Sequence, residues 1–398
     1  TLYFDTEESQ TASSSVLKIN HITDATSSTT NTMTLKAVDT NTANGDVVAN
    51  ISGLHLIDVQ TLTFNLDSSL ELNSTGNITG TDLTKVEVKG SGKFDLNSST
   101  LSGSSSTRMT FDGSTSTGSI SLVIDSTVDG VANVKTGSAD DTILVSGITS
   151  DSAGFVIQTN AGNDLIEITT GADGTSSKIN INAGDGTSDK LLLQPGVDLS
   201  GSNITLSSIE KIAIQGGGTT QKIAASDLSG QSFSLSETGS GTGTLTVVAD
   251  QATINLGSLV FESSFADGTD LIVIDGSSSS TGISATGTSI KDQITGSNAN
   301  DTLVGGSGND VISGGTGDDT IEGQDGADSL TGGSGDDEFD FAALASTEEN
   351  MDKITDYEAA AADAHNDKID NTTGAKGANT SSIDVKSAIS GGGGGETV

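Results

Sequence analysis

The sequence predicts an all-β fold: a right-handed parallel β-solenoid that ends in a tighter parallel β-roll with a short helical or irregular cap. Three observations predict it. The apolar residues are mainly Val, Ile and Leu in short, evenly placed runs, with Ser and Thr between them, and Thr favours strands. A nine-residue phrase repeats in phase over 287–340. Before it, single copies of a related phrase recur, several of them 22–25 residues apart, the length of one coil of a wider solenoid. Four segments follow from this. They are an N-terminal solenoid part (1–130), a solenoid with long rungs (131–286), the roll (287–340), and a cap with a flexible tail (341–398).

Composition narrows the functions. The 398 residues carry 54 Asp and Glu against 16 Lys and Arg, a formal charge of −38. Such a surface repels a phosphate backbone and an anionic bilayer, so nucleic acid is excluded as a partner. With no cysteine there is no disulfide framework, thiolate zinc site or cysteine nucleophile. No apolar run approaches the ~18 residues of a membrane span. Hydrophobic residues make up 32%, too few for a large globular core but enough for a narrow stack of strands. The chain opens in strand-like Thr1-Leu2-Tyr3-Phe4, with no initiator Met and no cleavable signal, and reads as a fragment or processed product.

The nine-residue phrase carries the chemistry. Gly305-Gly306-Ser307-Gly308-Asn309-Asp310-Val311-Ile312-Ser313 aligns with Gly314-Gly315-Thr316-Gly317-Asp318-Asp319-Thr320-Ile321-Glu322. Gly323-Gln324-Asp325-Gly326-Ala327-Asp328 and Gly332-Gly333-Ser334-Gly335-Asp336-Asp337 open two more copies, and weaker ones precede them at Asp292 and Asp301. The eighth position is always apolar: Ile294, Leu303, Ile312, Ile321, Leu330 and Phe339. A flexible linker has no reason to hold an acid and an apolar residue in phase in this way.

The pattern fits several calcium ions. Calcium takes six to eight hard oxygens at roughly 2.3–2.6 Å. One carboxylate per repeat supplies charge, and carbonyls of the glycine turns supply most of the rest. Two repeats make one turn of the roll. Asp292, Asp310 and Asp328 therefore line one side, and Asp301, Asp319 and Asp337 the other. The candidate ligands are these six, Asn309, Asp318, Asp325 and Asp336, and the turn glycines Gly305, Gly306, Gly308, Gly314, Gly315, Gly317, Gly323, Gly326, Gly332, Gly333 and Gly335.

The same phrase occurs singly upstream, around Asp140-Asp141, Asn163-Asp164, Asp185 to Asp189, and Asp267 to Asp270. These eight residue positions — Asp140, Asp141, Asn163, Asp164, Asp185, Asp189, Asp267 and Asp270 — are further calcium candidates at solenoid corners, with an ordinary Asp/Gly turn as the alternative. Apolar-alternating strands lie between them, at 119–124, 155–157, 178–182, 211–214, 245–248 and 271–274, and the coil is expected to begin near residue 16. A helix is expected only over Ala342–Ala364, which contains the run Ala359–Ala362. His21, His55 and His365 are scattered, and no nucleophile elbow, phosphate loop or dinucleotide fingerprint is present, so no enzymatic activity is expected.

The nonapeptides resemble those of RTX proteins, the calcium-binding products of bacterial type I secretion. Asp352-Lys353-Ile354-Thr355-Asp356-Tyr357 and Asp367-Lys368-Ile369-Asp370 resemble the region that follows RTX rolls. Upstream, 101–118 and 134–143 are similar to RTX-type surface-layer (S-layer) proteins. The resemblance implies an extracellular protein of the bacterial surface, exported by a type I transporter without a cleaved signal. It also implies folding on meeting calcium and assembly with itself into a two-dimensional lattice. Anchoring to lipopolysaccharide, usual in that family, is not assigned to any region. A calcium-bound adhesin or biofilm-matrix protein is the alternative, and the roll of a secreted hydrolase the third reading.

Overall fold

The computed structural model describes residues 2–5, 17–19, 32–38, 54–56, 59–66, 70–71, 77–80, 82–102, 108–125, 131–146, 154–169, 178–201, 203–341, 352–357, 367–370 and 384–385. The described residues are almost entirely strand and turn, and their one helix is the single turn Ala225–Leu228. The chain divides into two compact units, Thr1–Ala213 and Ile214–Val398.

The first unit is a parallel β-solenoid. One sheet stacks Leu2–Asp5, Thr32–Val38, Thr61–Leu66, Lys85–Gly90, Met109–Ser116, Val131–Lys135, Phe155–Gln158, Lys178–Asn182 and Asn203–Ser207 in chain order. A second sheet takes the alternate strands, including Phe94–Ser102, Ile120–Asp125, Thr142–Ser146, Leu165–Ile168 and Lys190–Leu193. Every described pair is parallel, as coiling in one direction requires, and registers such as Thr61↔Lys85 and Thr142↔Leu165 give rungs of the length read from the sequence. Alternation along each strand sends one set of side chains inward. Leu62, Phe64, Val86, Phe94, Phe111, Ile143, Ile166 and Leu191 are fully buried. Phe64, Phe94 and Phe111 stack along the interior with ring centroids 5.0 and 5.8 Å apart. The coil reaches Leu2–Asp5, which pairs with Thr32–Val38, so it starts before the residue-16 boundary expected from the sequence.

The second unit begins with long rungs and tightens into the roll. Gln293↔Val311↔Ser329 lies in one sheet and Thr302↔Thr320↔Glu338 in the other. Nine residues per half-turn place the two rows of Asp on opposite sides. Ile294, Leu303, Ile312, Ile321, Leu330 and Phe339 fill the interior without exposure.

The helix expected over 342–364 is corrected where the structure describes it. Lys353–Ile354 is a strand between Ser329–Ser334 and Asp384–Val385 in one sheet, and Ile354 is buried. The reason is a tertiary override of local propensity. The open strand edge offers carbonyls that accept Lys353 N–H (from Asp328, 2.7 Å) and Thr355 N–H (from Leu330, 2.8 Å). Asp352-Lys353-Ile354 repeats the roll's own Asp-x-apolar phrase. Lys368–Asp370 extends the other sheet in the same way. The alanine run 359–362 lies outside the described residues.

Candidate metal centre

The centre is built from the Asp that precedes each short strand. Because the strand's apolar residue points inward, the Asp two places earlier also turns inward, at the corner of the coil. Asp292, Asp301, Asp310, Asp319, Asp328 and Asp337 are all at most 3% exposed. Their carboxylates form two columns that stitch successive turns together. Asp292 N–H donates to Asp310 Oδ1 (2.7 Å), and Asp310 N–H to Asp328 Oδ1 (2.8 Å). On the other side Asp301 N–H donates to Asp319 Oδ1 (2.8 Å) and Asp319 N–H to Asp337 Oδ1 (2.9 Å).

A second ladder runs outside the first and in the opposite sense. The fifth residue of a turn accepts from the turn above: Asn309 Oδ1 from Ala327 N–H (2.9 Å), and Asp318 Oδ1 from Asp336 N–H (2.9 Å). The side chains of Asn309, Asp318, Asp325 and Asp336 are exposed.

The inner carboxylates differ in their second oxygen. Asp292 Oδ2 accepts Thr288 N–H (2.6 Å) and the Thr288 hydroxyl (3.0 Å). Asp301 Oδ2 accepts Ser297 N–H (2.6 Å), and the Ser297 hydroxyl donates to Oδ1 (2.8 Å). Asp310, Asp319 and Asp328 have no such neighbour, and their buried Oδ2 atoms meet no hydrogen-bond donor. Each of these oxygens is aimed at the first glycine of its own turn. A Cβ added at Gly305 or Gly314 would strike Oδ2 of Asp310 or Asp319, so only glycine leaves the space. The hydroxyl position is taken there by Gly306 and Gly315, whose φ of +116° and +117° disfavours a side chain.

Burial dominates the electrostatics. Loss of solvation pushes Asp310 up to about 8, and the neighbouring Asp292, Asp328 and Asp267 push the same way. Asp292 and Asp319 rise to about 7 and Asp337 to about 6, again chiefly through burial. Asp328 is raised by the same cause. Unneutralised, each column is a line of crowded carboxylates in a poorly solvated corner.

Such a donor set fits a hard cation. The orphaned oxygens are carboxylate, and the turns that hold them are lined by backbone carbonyls. Among the described residues no three acidic or histidine side chains converge on one point, so carbonyls must complete any shell.

Other candidate residues fall into distinct places. In the first unit Asp141, Asp164 and Asp189 form a third column at one corner. Asp140 and Asn163 take the outer-ladder role, accepting from Asn163 N–H (2.7 Å) and Thr187 N–H (3.2 Å). Asp185 is exposed, and its backbone bonds Asn160 and Gly162. Asp267 is exposed and accepts Lys291 N–H (3.0 Å), so it joins the outer ladder of the roll. Asp270 is buried but stands apart from the Asp292 column, because Ile272, not Asp270, pairs with Asp292. Both Asp270 oxygens are satisfied, by Gly243 N–H (2.7 Å) and Ala266 N–H (2.6 Å).

Four acids absent from the sequence-based set belong to the columns or their ends. Asp352 Oδ1 accepts Asp328 N–H (2.9 Å) and Asp367 Oδ1 accepts Asp337 N–H (3.1 Å), extending both columns beyond the nine-residue period. Asp352 Oδ2 is also unpartnered. Asp356 accepts Gly332 N–H (3.0 Å) and Gly333 N–H (2.9 Å) on its two oxygens. Glu210 Oε2 accepts Asp189 N–H (2.9 Å). The signal for the first two was the Asp-Lys-Ile phrase at 352–354 and 367–369; nothing local marks Glu210.

Comparison with known families matches residues 286–321 and 313–343 to the RTX calcium-binding nonapeptide repeat (4 copies). The chain therefore carries RTX calcium-binding repeats at the segment where the two columns stand. Proteins with this repeat are typically secreted, and no helix among the described residues is long and apolar enough to cross a membrane. The comparison with curated proteins found no match, and neither did the comparison with solved structures.

Proposed function

We propose that the chain is a structural protein of the bacterial cell surface, a calcium-dependent S-layer subunit or lattice domain without catalytic role. The observation that supports this most directly is the pair of columns with orphaned buried oxygens, which makes a folded roll conditional on a cation. Asp310, Asp319, Asp328 and Asp352 offer Oδ2, and glycine-turn carbonyls offer the remaining oxygens. Bound calcium supplies neutralising charge and oxygen-directed bonds. Binding to the folded form alone adds RT ln(1 + [L]/Kd) to stability. Calcium is scarce inside cells and abundant outside, so the chain stays unfolded for a type I transporter and folds after export.

Assembly follows from charge and shape. A net −38 makes copies repel, and divalent ions at contacts relieve that repulsion. Solenoid walls rich in Ser and Thr bury little apolar area, so each contact is weak and gains strength through repetition over a sheet. Attachment to lipopolysaccharide is assigned to no residue.

The test is electron microscopy of the full chain with added calcium. Crystalline sheets that appear with calcium and dissolve in chelator support the lattice reading. A calcium-folded chain that stays monomeric at high concentration overturns it and favours the adhesin.

A further inference from the structure

The matched repeats begin at residue 286, yet the first unit holds a carboxylate column of its own, in turns with no nine-residue period. Asp141 N–H donates to Asp164 Oδ1 (2.8 Å), Asp164 N–H to Asp189 Oδ1 (2.7 Å), and Asp189 N–H to Glu210 Oε2 (2.9 Å). The floor of this column is closed: Asp141 accepts Ile120 N–H on Oδ1 (2.7 Å) and Gly137 N–H on Oδ2 (3.1 Å). Above it, Asp164 and Asp189 are 1% and 0% exposed, and their Oδ2 atoms meet no donor. Asp189 Oδ2 is aimed at the Cα of Gly186, where a Cβ would strike both it and the carbonyl oxygen of Gly162. No lysine or arginine pairs with either Asp among the described residues.

We propose that Asp164 and Asp189, completed by backbone carbonyls of their turns, form a second hard-cation site, of calcium's class, at this corner of the first unit. Two buried carboxylates on successive rungs, roughly 4.8 Å apart, repel one another and leave two oxygens unsatisfied. A cation between the turns answers both needs at once. A parallel ladder fixes the spacing of these oxygens, which suits the large, irregular shell of calcium over the compact octahedron of magnesium. Glu210 in place of a fourth Asp closes the top of the column with a longer reach. The site uses the chemistry of the roll but stands or falls without it.

Hydrogen exchange of the full chain, with calcium and with chelator, tests the site. With calcium, amides in 160–169 and 184–193 should exchange about tenfold slower or more. That protection should persist in the Asp310→Asn/Asp319→Asn chain and vanish in the Asp164→Asn/Asp189→Asn chain. Asn preserves the Oδ1 ladder and removes the charge, so the second variant should fold and bind fewer calcium ions by native mass spectrometry. Wild-type protection in 160–193 that ignores calcium overturns the site, whether or not the roll responds. An unchanged ion count in the Asp164→Asn/Asp189→Asn chain also overturns it. A response in 160–193 with none in 302–340 supports this site and defeats the calcium reading of the roll.

Discussion

Two pairs of turns in the roll differ in backbone at one position, left-handed at Gly306 and Gly315 but not at Thr288 and Ser297, and in how they close. At Asp292 and Asp301 a hydroxyl residue, Thr288 or Ser297, satisfies the buried carboxylate from within the turn. At Asp310 and Asp319 the corresponding residues are Gly306 and Gly315, and the inner oxygen is left open. A buried polar group left without a partner costs about 1–3 kcal/mol, and a charged one more. The first pair meets that cost with an internal hydrogen bond, whereas the second needs something from outside the chain. One repeat thus holds turns that are complete on their own, in its weaker early copies, and turns that are not.

The largest expected effect tests the incomplete turns as a group. In chelator their carboxylates have only protons to neutralise them. A folded-state pKa raised from 3.8 to about 7 or 8, as for Asp319 and Asp310, gives a contribution fully present below about pH 3.8. It is lost as pH rises through about 7 to 8. The calcium-free roll should therefore lose β structure by circular dichroism at pH 8.5 and regain it near pH 5. With calcium the trend should reverse, because protons then compete with the ion. Parallel pH profiles in the two conditions would break the comparison.

A smaller effect separates the two kinds of turn residue by residue. Asp319→Ala should raise the calcium midpoint of folding about tenfold, equivalent to ~1.4 kcal/mol. Asp301→Ala leaves the Ile283 and Ser297 amides unpaired and should cost roughly 1–3 kcal/mol with calcium or without it. Its calcium midpoint should barely move. Equal midpoint shifts for the two variants would mean that the hydroxyl-closed turns also depend on calcium.

The smallest effect converts one kind of turn into the other. Thr288→Gly removes the hydroxyl from Asp292 and lets position 288 adopt the left-handed backbone of Gly306, which would take its N–H off Oδ2 as in the later turns. Stability in chelator should fall by about 1 kcal/mol, with most of the loss recovered in calcium. Thermal melts in both conditions check this, and a loss that calcium does not recover would point to Thr288 acting by packing alone.

The first unit shows why some of the site was legible and some was not. Asp141, Asp164 and Asp189 could be read because each stands in an Asp-x-apolar phrase whose strand direction sets the side chain inward. Glu210 could not, since a Glu two residues before Ile212 resembles any exposed strand-edge acid until it is stacked on Asp189. Asp352 and Asp367 sat in visible phrases, but their distance from the nine-residue period hid which column each would join. Asp270 is the converse: its phrase matches, yet a register two residues away from the Asp292 column separates them.

By itself the sequence determined the parallel coil, its inward apolar rows and the two-sided placement of the roll's acids. These follow from side-chain periodicity and turn chemistry, which are local along the chain. Only the tertiary structure decided that Lys353–Ile354 would be strand, because that choice depended on an open sheet edge supplied by residues more than twenty positions earlier. It alone also decided which carboxylate oxygens are satisfied. A hydrogen bond across a turn and one between rungs need a donor at a particular point in space, and the spacing of residues along the chain does not fix that point.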